Sequence, residues 1–258
     1  MNPDSYLVPA WDAPANVAAL STTRLGGVSR APYDDGAGAG GLNLGLHVGD
    51  LASDVERNRA LLNGMLPAAP NWLNQVHGTT VVDAADALPG TVADAMTTTR
   101  TGVVCAIQTA DCLPLLLADR AGRVVGAAHG GWRGLAGGIV ENTVARMREQ
   151  GAIELVAWLG PAIGPGRFEV GDDVRQAFYS RGLDGETVER AFRAIDGRPG
   201  KFLADIYALA RALLQSVEVT KVFGGDCCTV SDARFYSFRR DHATGRMASL
   251  IWLTDSAA

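Results

Sequence analysis

The sequence has no long hydrophobic run and no amino-terminal leader pattern. Its longest strongly apolar stretch, residues 113–118, is far too short to cross a bilayer. The first eight residues carry neither the basic segment nor the apolar segment of a secretory signal. These features predict a cytoplasmic protein without a membrane partner.

Cysteine and histidine are both scarce, with four of each among 258 residues. The cysteines lack the spacing of a disulfide framework, and two of them, Cys227 and Cys228, are sequence neighbours that rarely bridge each other. We therefore expect free thiols, which serve as core residues, metal ligands or nucleophiles.

An excess of positive charge is also missing. The formal net charge of -5 argues against a surface that collects nucleic-acid phosphates. Apolar residues make up 47% of the chain and charged residues 20%, which is typical of a globular enzyme and unlike a disordered chain. Because no linker rich in proline or charge divides the sequence, we expect one domain over residues 1–258.

Short apolar segments bounded by turn residues alternate irregularly with amphipathic segments. Strands are predicted at residues 80–82, 102–107, 113–118, 124–128, 154–159, 219–223 and 248–253. Helices are predicted at residues 53–62, 135–150, 172–180 and 205–215, the first with Ser53 and Glu56 as a capping box. Since strands and helices do not alternate strictly, the expected fold class is α+β (mixed α/β), with a mixed β-sheet core and surrounding helices.

A hairpin places a thiol beside an imidazole. If the turn between the strands at 113–118 and 124–128 centres near Ala121, antiparallel pairing sets Cys112 opposite His129. Facing side chains in such a pair lie roughly 5 Å apart at Cβ. A neighbouring Cys and His permit two chemistries, because the imidazole can activate the thiol as a nucleophile or both can bind a metal.

A third ligand favours the metal. His77 stands just before a predicted strand and beside Gly78, which gives a ligand close access. Two histidines and a cysteine leave one tetrahedral position for water, an arrangement typical of catalytic zinc. The alternative for each residue taken alone, a core cysteine or a hydrogen-bonded scaffold histidine, remains open at this point.

Several blocks of the sequence, all in order, match one family. They cover residues 42–50, 74–78, 110–114, 128–134, 160–164, 235–241 and 244–247. Together they resemble the laccase-domain family, named polyphenol oxidases in older usage and purine nucleoside phosphorylases more recently. The resemblance runs from about Ser21 to Trp252, which is nearly the whole chain.

The resemblance implies a zinc site and a reaction. The family's three zinc ligands fall on His77, Cys112 and His129. The implied activity is phosphorolysis of adenosine, inosine and methylthioadenosine, with adenosine deamination as a side activity. A true multicopper mechanism is not expected, because it needs a further cluster of imidazoles beyond the four histidines present. Copper in the zinc site would give weak polyphenol oxidase activity.

Candidate substrate residues follow from the same blocks. Arg133, at the start of a helix after Gly130, is a phosphate candidate, and Arg239 and Arg240 are phosphate or ribose candidates. For each arginine a surface ion pair is an equally good interpretation.

Three further candidates lie beside or within the loops that carry these blocks. Asn43 and His47 lie in a glycine-containing loop of the kind that approaches ligands closely. Asp111 is expected either to orient a ligand imidazole, to act as a general base, or to cap a turn.

A metal-independent enzyme is the main alternative. Cys112 would be the nucleophile and His129 the base of a Cys-His hydrolase or amidase that edits cell-wall precursors. A non-enzymatic module that senses nucleosides or metals is a further alternative, against which the near-complete set of family blocks argues.

Overall fold

The computed structural model describes residues 3–255. Its strands are β1 (Tyr6–Leu7), β2 (Val17–Thr22), β3 (Leu25–Ser29), β4 (Val81–Asp83), β5 (Ala95–Thr98), β6 (Val104–Thr109), β7 (Leu113–Asp119), β8 (Val125–Gly130), β9 (Leu155–Leu159), β10 (Glu169–Gly171), β11 (Phe192–Ala194), β12 (Lys201–Ala204), β13 (Lys221–Gly224) and β14 (Met247–Leu253). Its α-helices are α1 (Ala52–Asn63), α2 (Trp132–Gly137), α3 (Ile139–Glu149), α4 (Asp172–Ser180), α5 (Gly185–Ala191), α6 (Ile206–Ser216) and α7 (Phe238–Asp241). Short 3-10 helices cover Pro3–Ser5 and Leu46–Val48.

The strands form a six-stranded mixed sheet, a four-stranded antiparallel sheet and a small third sheet. The first has the order β13-β9-β7-β8-β5-β4, the second β1-β2-β14-β6 and the third β10-β12-β11. Parallel pairs join β13 to β9 and β4 to β5, while the other pairs in the large sheet are antiparallel. This mixture of sheets and helices confirms the predicted α+β class.

The two larger sheets pack face to face, and β7 shows why its sequence is apolar throughout. Leu113, Leu115 and Leu117 belong to the core shared with the helices, whereas Leu116 and Ala118 belong to the core between the sheets. Successive side chains of a strand point to opposite faces, so a strand buried on both faces has no polar alternation.

The four-stranded sheet is likewise covered on both sides. In β6, Cys105 and Ile107 face the large sheet, while Val104 and Ala106 pack in a further core with Leu62 of α1. Helices therefore lie on the outer side of each sheet. The metal-ligand candidates Cys112 and His129 lie at one end of β7 and β8, the central strands of the large sheet. Among residues 3–255, no helix combines the length and hydrophobicity needed to span a bilayer.

All seven predicted strands are present, with ends shifted by one to a few residues. The helix predicted at 172–180 is confirmed, and that at 205–215 occurs one residue later with Asp205 as its cap. The helix predicted at 135–150 is instead two helices, because Gly138 adopts a left-handed conformation (φ 109°) between α2 and α3. The predicted capping box was wrong, since α1 starts at Ala52 and has no side-chain cap.

The predicted hairpin exists, but its register was wrong by two residues. Pro114, not Cys112, pairs with His129, because the turn between Asp119 and Val124 centres one residue later than a Cys112–His129 pair requires. A shift of two residues keeps side chains on the same face of the sheet. Cys112 therefore still lies on the His129 side, diagonally across from it and just before β7.

Asn58 on α1 fixes the loop that leads to His47. Its Nδ2 lies 3.0 Å from the Gly41 carbonyl oxygen and 2.9 Å from that of Asn43, and its Oδ1 accepts a hydrogen bond from Val28. The side chain is fully buried. Buried polar backbone groups need such partners, so this amide joins the helix to two loop segments.

Replacing this amide tests its structural role. We expect Asn58→Ala to lower the free energy of unfolding by about 3 kcal/mol, because it leaves buried carbonyls without donors. Chemical denaturation measures the change. Arg57→Ala, on the exposed side of the same helix, is the control and should cost less than about 0.5 kcal/mol. Equal stability of the two variants would contradict this role.

Candidate metal centre

Three side chains from separate parts of the chain converge at one end of the large sheet. His77 lies in the loop before β4, Cys112 directly precedes β7, and His129 is in β8. One ligand atom from each lies within 4.8 Å of the others. The structure thus brings together the three residues that the sequence predicted as ligands.

A buried carboxylate holds two of them. Asp94, fully buried, lies with Oδ1 2.8 Å from Nδ1 of His129 and accepts the backbone N–H of His77 at 2.9 Å. Its Oδ2 accepts the N–H groups of Val76 and Gly78. Asp94 therefore fixes the loop of one candidate ligand and the ring of another.

The backbone around the site adopts uncommon conformations. His77 has φ 61° and Asp111 has φ 90°, values that most side chains avoid. Such conformations persist only where surrounding contacts enforce them, at a cost of about 1–3 kcal/mol each. For His77 the enforcing contacts are those to Asp94.

The charges of the cluster support one another. Burial opposes ionisation of Cys112, but the charge of His129 and hydrogen bonds from both imidazoles outweigh it and lower the pKa of the thiol. Burial likewise opposes protonation of His129, but Cys112 and Asp94 raise the pKa of its ring. Burial also opposes ionisation of Asp94, yet the hydrogen bonds from His129 and Gly78 leave its pKa lowered. These interactions favour the thiolate form of Cys112.

The donor set fits a zinc ion. Tetrahedral zinc with bonds of about 2.0–2.3 Å sets its ligand atoms roughly 3.3–3.6 Å apart. Sγ of Cys112 and Nε2 of His77 are 3.6 Å apart. Because Asp94 occupies Nδ1 of His129, Nε2 is the nitrogen that this ring offers to a metal.

A cavity of about 380 Å³ opens beside the cluster, within the range that holds small molecules. It is lined by His47, Leu73, Asn74, Gln75, His77, Gln108, Thr109, Ala110, Cys112, His129, Phe238 and Arg246. A smaller cavity of about 150 Å³ shares Ala110, Cys112 and Phe238 with it. The exposed ring of Phe238 thus borders both spaces.

Two of the predicted substrate residues line these cavities. His47 lines the larger one, and Arg239 lines the smaller one together with Trp132 and Phe168. Arg133 lines neither; it is exposed and stacks on the Trp132 ring at 4.3 Å. The structure therefore brings His47 and Arg239 to the candidate ligands and leaves Arg133 outside.

Asn43 and Arg240 make contacts within the protein. The buried Asn43 receives hydrogen bonds from the backbone of Gly45 and Arg246, and its Nδ2 donates to Asp50. The Arg240 guanidinium donates to the carbonyl oxygens of Thr229 and Phe235 and to the Asp241 carboxylate. These contacts shape loops around the cavities.

Asp111 does not orient a candidate ligand, since Asp94 has that position. The Asp111 carboxylate accepts hydrogen bonds of 2.6 Å from the Thr229 hydroxyl and from the backbone N–H of Arg239. It thereby fixes the start of α7, the helix that carries Phe238. These contacts give Asp111 a structural role, and because it also lines the smaller cavity, its role as a general base stays a prediction.

Sequence reasoning missed Asp94, Gln108, Phe238 and Arg246 as site residues. Phe238 and Arg246 belong to blocks that carried the family resemblance, so their position there was a usable signal. Asp94 and Gln108 belong to none of these blocks. The sequence alone gives no indication that Asp94 meets His129, 35 residues away.

Selective alkylation tests the charge state of the cluster. In metal-free protein, we expect the pH at which iodoacetamide modifies Cys112 at half its maximal rate to lie well below about 8.5. That value is the ordinary pKa of a cysteine thiol. Cys227 is the internal control, because burial and Asp226 raise its pKa to about 11. Peptide mass spectrometry follows each site. Similar pH profiles for the two thiols would contradict a stabilised thiolate at Cys112.

Comparisons with known proteins agree with this architecture. The family model described as "Multi-copper polyphenol oxidoreductase laccase" matches residues 18–254. A protein named purine nucleoside phosphorylase from Pseudomonas aeruginosa is 51% identical, covering 98% of this chain and 100% of that protein. One of the same name from Escherichia coli is 49% identical, covering 96% and 98%.

Solved structures show the same fold. The crystal structure of a Neisseria meningitidis protein is 50% identical with a TM-score of 0.87, covering 97% of this chain and 99% of that one. YlmD from Geobacillus stearothermophilus is 32% identical with a TM-score of 0.82, covering 98% and 100%. The chain therefore belongs to the multi-copper polyphenol oxidoreductase laccase family, whose curated relatives here are named purine nucleoside phosphorylases.

Proposed function

We propose that this protein, as one domain over residues 1–258, is a zinc-dependent phosphorylase of adenosine, inosine and methylthioadenosine. The observation that carries the proposal is the His77–Cys112–His129 cluster on the wall of a small-molecule cavity. The names of the relatives from Pseudomonas aeruginosa and Escherichia coli support the substrate class.

The reaction exchanges one bond at the sugar for another. The C1′–N bond of the nucleoside breaks, and its electron pair leaves with the purine, which takes up the proton that hydrogen phosphate loses. A phosphate oxygen forms the new bond to C1′, so the products are the free base and a sugar 1-phosphate. Zinc, when bound to His77, Cys112 and His129, supplies a Lewis acid at the wall of the cavity.

The smaller cavity suits the base. The rings of Trp132, Phe168 and Phe238 line it, together with Ile163 and Ile206. Flat aromatic bases bind well against such rings, since stacking and burial of apolar surface both contribute. The Arg239 side chain at its edge provides donors for a purine nitrogen or oxygen. A base held there lies beside Cys112, which borders both cavities.

Side activities follow from the same centre. We propose adenosine deamination there as a minor activity, since the zinc site and the base cavity adjoin each other. Two histidines and a cysteine also bind copper, so copper in place of zinc supports weak oxidation of polyphenols.

A Cys-His hydrolase explains less of the geometry. The lowered pKa of Cys112 suits a nucleophile as well as a ligand. A catalytic dyad, however, needs no second imidazole, whereas His77 lies 3.6 Å from the sulfur and its loop is held by Asp94. The converging third ligand is the reason to prefer the metal enzyme.

Removal of the third ligand separates the two mechanisms. We expect His77→Ala to abolish zinc binding and phosphorolysis, because two ligands do not hold catalytic zinc tightly. Metal content by mass spectrometry and base release from inosine measure the two effects. Full activity in the metal-free variant would show that zinc is not required.

Asp94, whose carboxylate orients the His129 ring, is expected to increase the affinity of the site for zinc. Asp94→Asn should weaken zinc binding roughly 10- to 100-fold, as the loss of such outer contacts usually does. Chelator competition measures the dissociation constant. The matched control is Asp119→Asn, which removes another buried carboxylate at the far end of β7, where it pairs with Arg123. Equal weakening in both variants would indicate a general loss of stability.

The overall proposal is tested on purified protein. We expect about one zinc per chain, and release of base from adenosine and inosine only when phosphate is present. Base release without phosphate would indicate hydrolysis, and zinc without any turnover would require another substrate.

A further inference from the structure

The larger cavity carries a positive side that the proposed zinc chemistry does not use. The side chains of His47 and Arg246 line it, and none of the described residues that line it is acidic. Arg246 is partly buried. The charges of Cys112 and Asp111 act on Arg246, but no carboxylate lines the cavity, so a partly desolvated cation there favours an anionic ligand.

The Arg246 guanidinium has unused donors. Its Nη1 donates to the carbonyl oxygens of Thr244 and Gly245, at 3.2 and 3.0 Å. Its Nε and Nη2 have no hydrogen-bond partner within residues 3–255, and no carboxylate in that range forms an ion pair with it. Nε and Nη2 form the fork that binds two oxygens of a phosphate.

The position of this arginine is enforced by its surroundings. Its backbone N–H donates to Oδ1 of Asn43 at 2.8 Å, and its carbonyl accepts from Leu44 at 3.0 Å. Its stem packs so closely on Gly45 that a Cβ there would lie 2.8 Å from Cγ of Arg246. The glycine-containing loop that carries His47 is therefore built against Arg246.

Arg59 lies near the same loop without lining the cavity. Arg59 donates from Nε and Nη2 to the Leu44 carbonyl and stacks on the Trp72 ring at 4.6 Å. Burial first, and then the charges of Arg246 and Arg59, lower the pKa of His47. The lowered pKa favours the neutral ring of His47, so Arg246 is the cation that lines this side of the cavity and His47 offers a ring N–H beside it.

We propose that Arg246 and His47 form the phosphate subsite of this enzyme, with Arg246 binding two phosphate oxygens and His47 a third. This inference rests on the proposed function and names the residues that would bind its second substrate. His47 was already a substrate candidate from the sequence, whereas Arg246 was not. Of the arginines predicted to bind phosphate, Arg133 lines neither cavity, Arg239 lines the smaller one, and the Arg240 guanidinium is engaged by carbonyl and carboxylate oxygens.

The phosphate subsite and the base cavity place the two substrates on opposite sides of the sugar. Phosphate held by Arg246 lies in the larger cavity, and the purine lies in the smaller one, with Phe238 and Cys112 bordering both. The sugar then spans the junction. The phosphate oxygen attacks C1′ from one side while the C1′–N electron pair leaves on the other with the purine, which takes up the proton lost by hydrogen phosphate.

The test is the kinetics of arginine variants of the zinc-loaded enzyme. For Arg246→Met, which keeps the length of the stem but not the charge, we expect KM for inorganic phosphate to rise roughly 10- to 100-fold. KM for inosine should change less than about twofold, and zinc content should be unchanged. Arg246→Lys should recover part of the phosphate affinity, and His47→Gln should raise the phosphate KM by a smaller factor.

Arg57→Met is the matched control. Arg57 lies on α1 two residues from Arg59, but it is exposed and pairs with Asp54. The kinetic constants of this variant should equal those of the wild type. A similar loss in Arg57→Met and Arg246→Met, or an unchanged phosphate KM in Arg246→Met, would overturn the subsite.

Titration calorimetry with inorganic phosphate separates this inference from the proposed function. If the wild type binds phosphate and Arg246→Met does not, the subsite stands even where no phosphorolysis is found. A phosphate group carried by a nucleotide is the other source of the same chemistry, so AMP is tested in parallel. If Arg246→Met loses AMP binding but still binds inorganic phosphate as the wild type does, the assignment of the subsite to free phosphate is overturned.

Discussion

The geometry of the site depends on the contact of one buried carboxylate with two segments of the chain. Asp94 holds the ring of His129 through Nδ1 and holds the left-handed loop of His77 through backbone N–H groups. A buried charge is stable only when its hydrogen-bonding capacity is filled, and here four donors fill it. The same contacts that make this ionised carboxylate tolerable therefore place two ligand candidates opposite Cys112.

The sheets explain why this site lies where it does. Asp94 directly precedes β5, His129 is in β8 and Cys112 precedes β7, three strands that are neighbours in the large sheet. Their rigid, doubly buried bodies fix the backbone from which the site residues project. Loops and the short helix α7 supply the rest, so strands position Cys112 and His129 while loops and α7 contribute to the walls of the two cavities.

The strands and the ligand trio could be predicted, because apolar periodicity and family blocks mark both locally. Of the fourteen described strands seven were missed. The strands β2, β3 and β5 are rich in small or polar residues such as Ala18, Gly26 and Thr97, and β1, β10, β11 and β12 are only two to four residues long. The split between α2 and α3 is local, and the pair Gly137-Gly138 was a visible sign of it. The roles of Asp94 and Arg246 depend instead on contacts between distant segments. Sequence patterns describe neighbours along the chain, so they do not reveal which carboxylate meets an imidazole or which arginine faces a cavity.

The central claim is that His77, Cys112 and His129 together bind one zinc ion. X-ray absorption at the zinc edge of the loaded protein tests it most directly. We expect one sulfur ligand at about 2.3 Å from the zinc ion and at least two nitrogen or oxygen ligands at about 2.0–2.1 Å from it. A zinc environment without sulfur, or with two or more sulfur ligands, would contradict it.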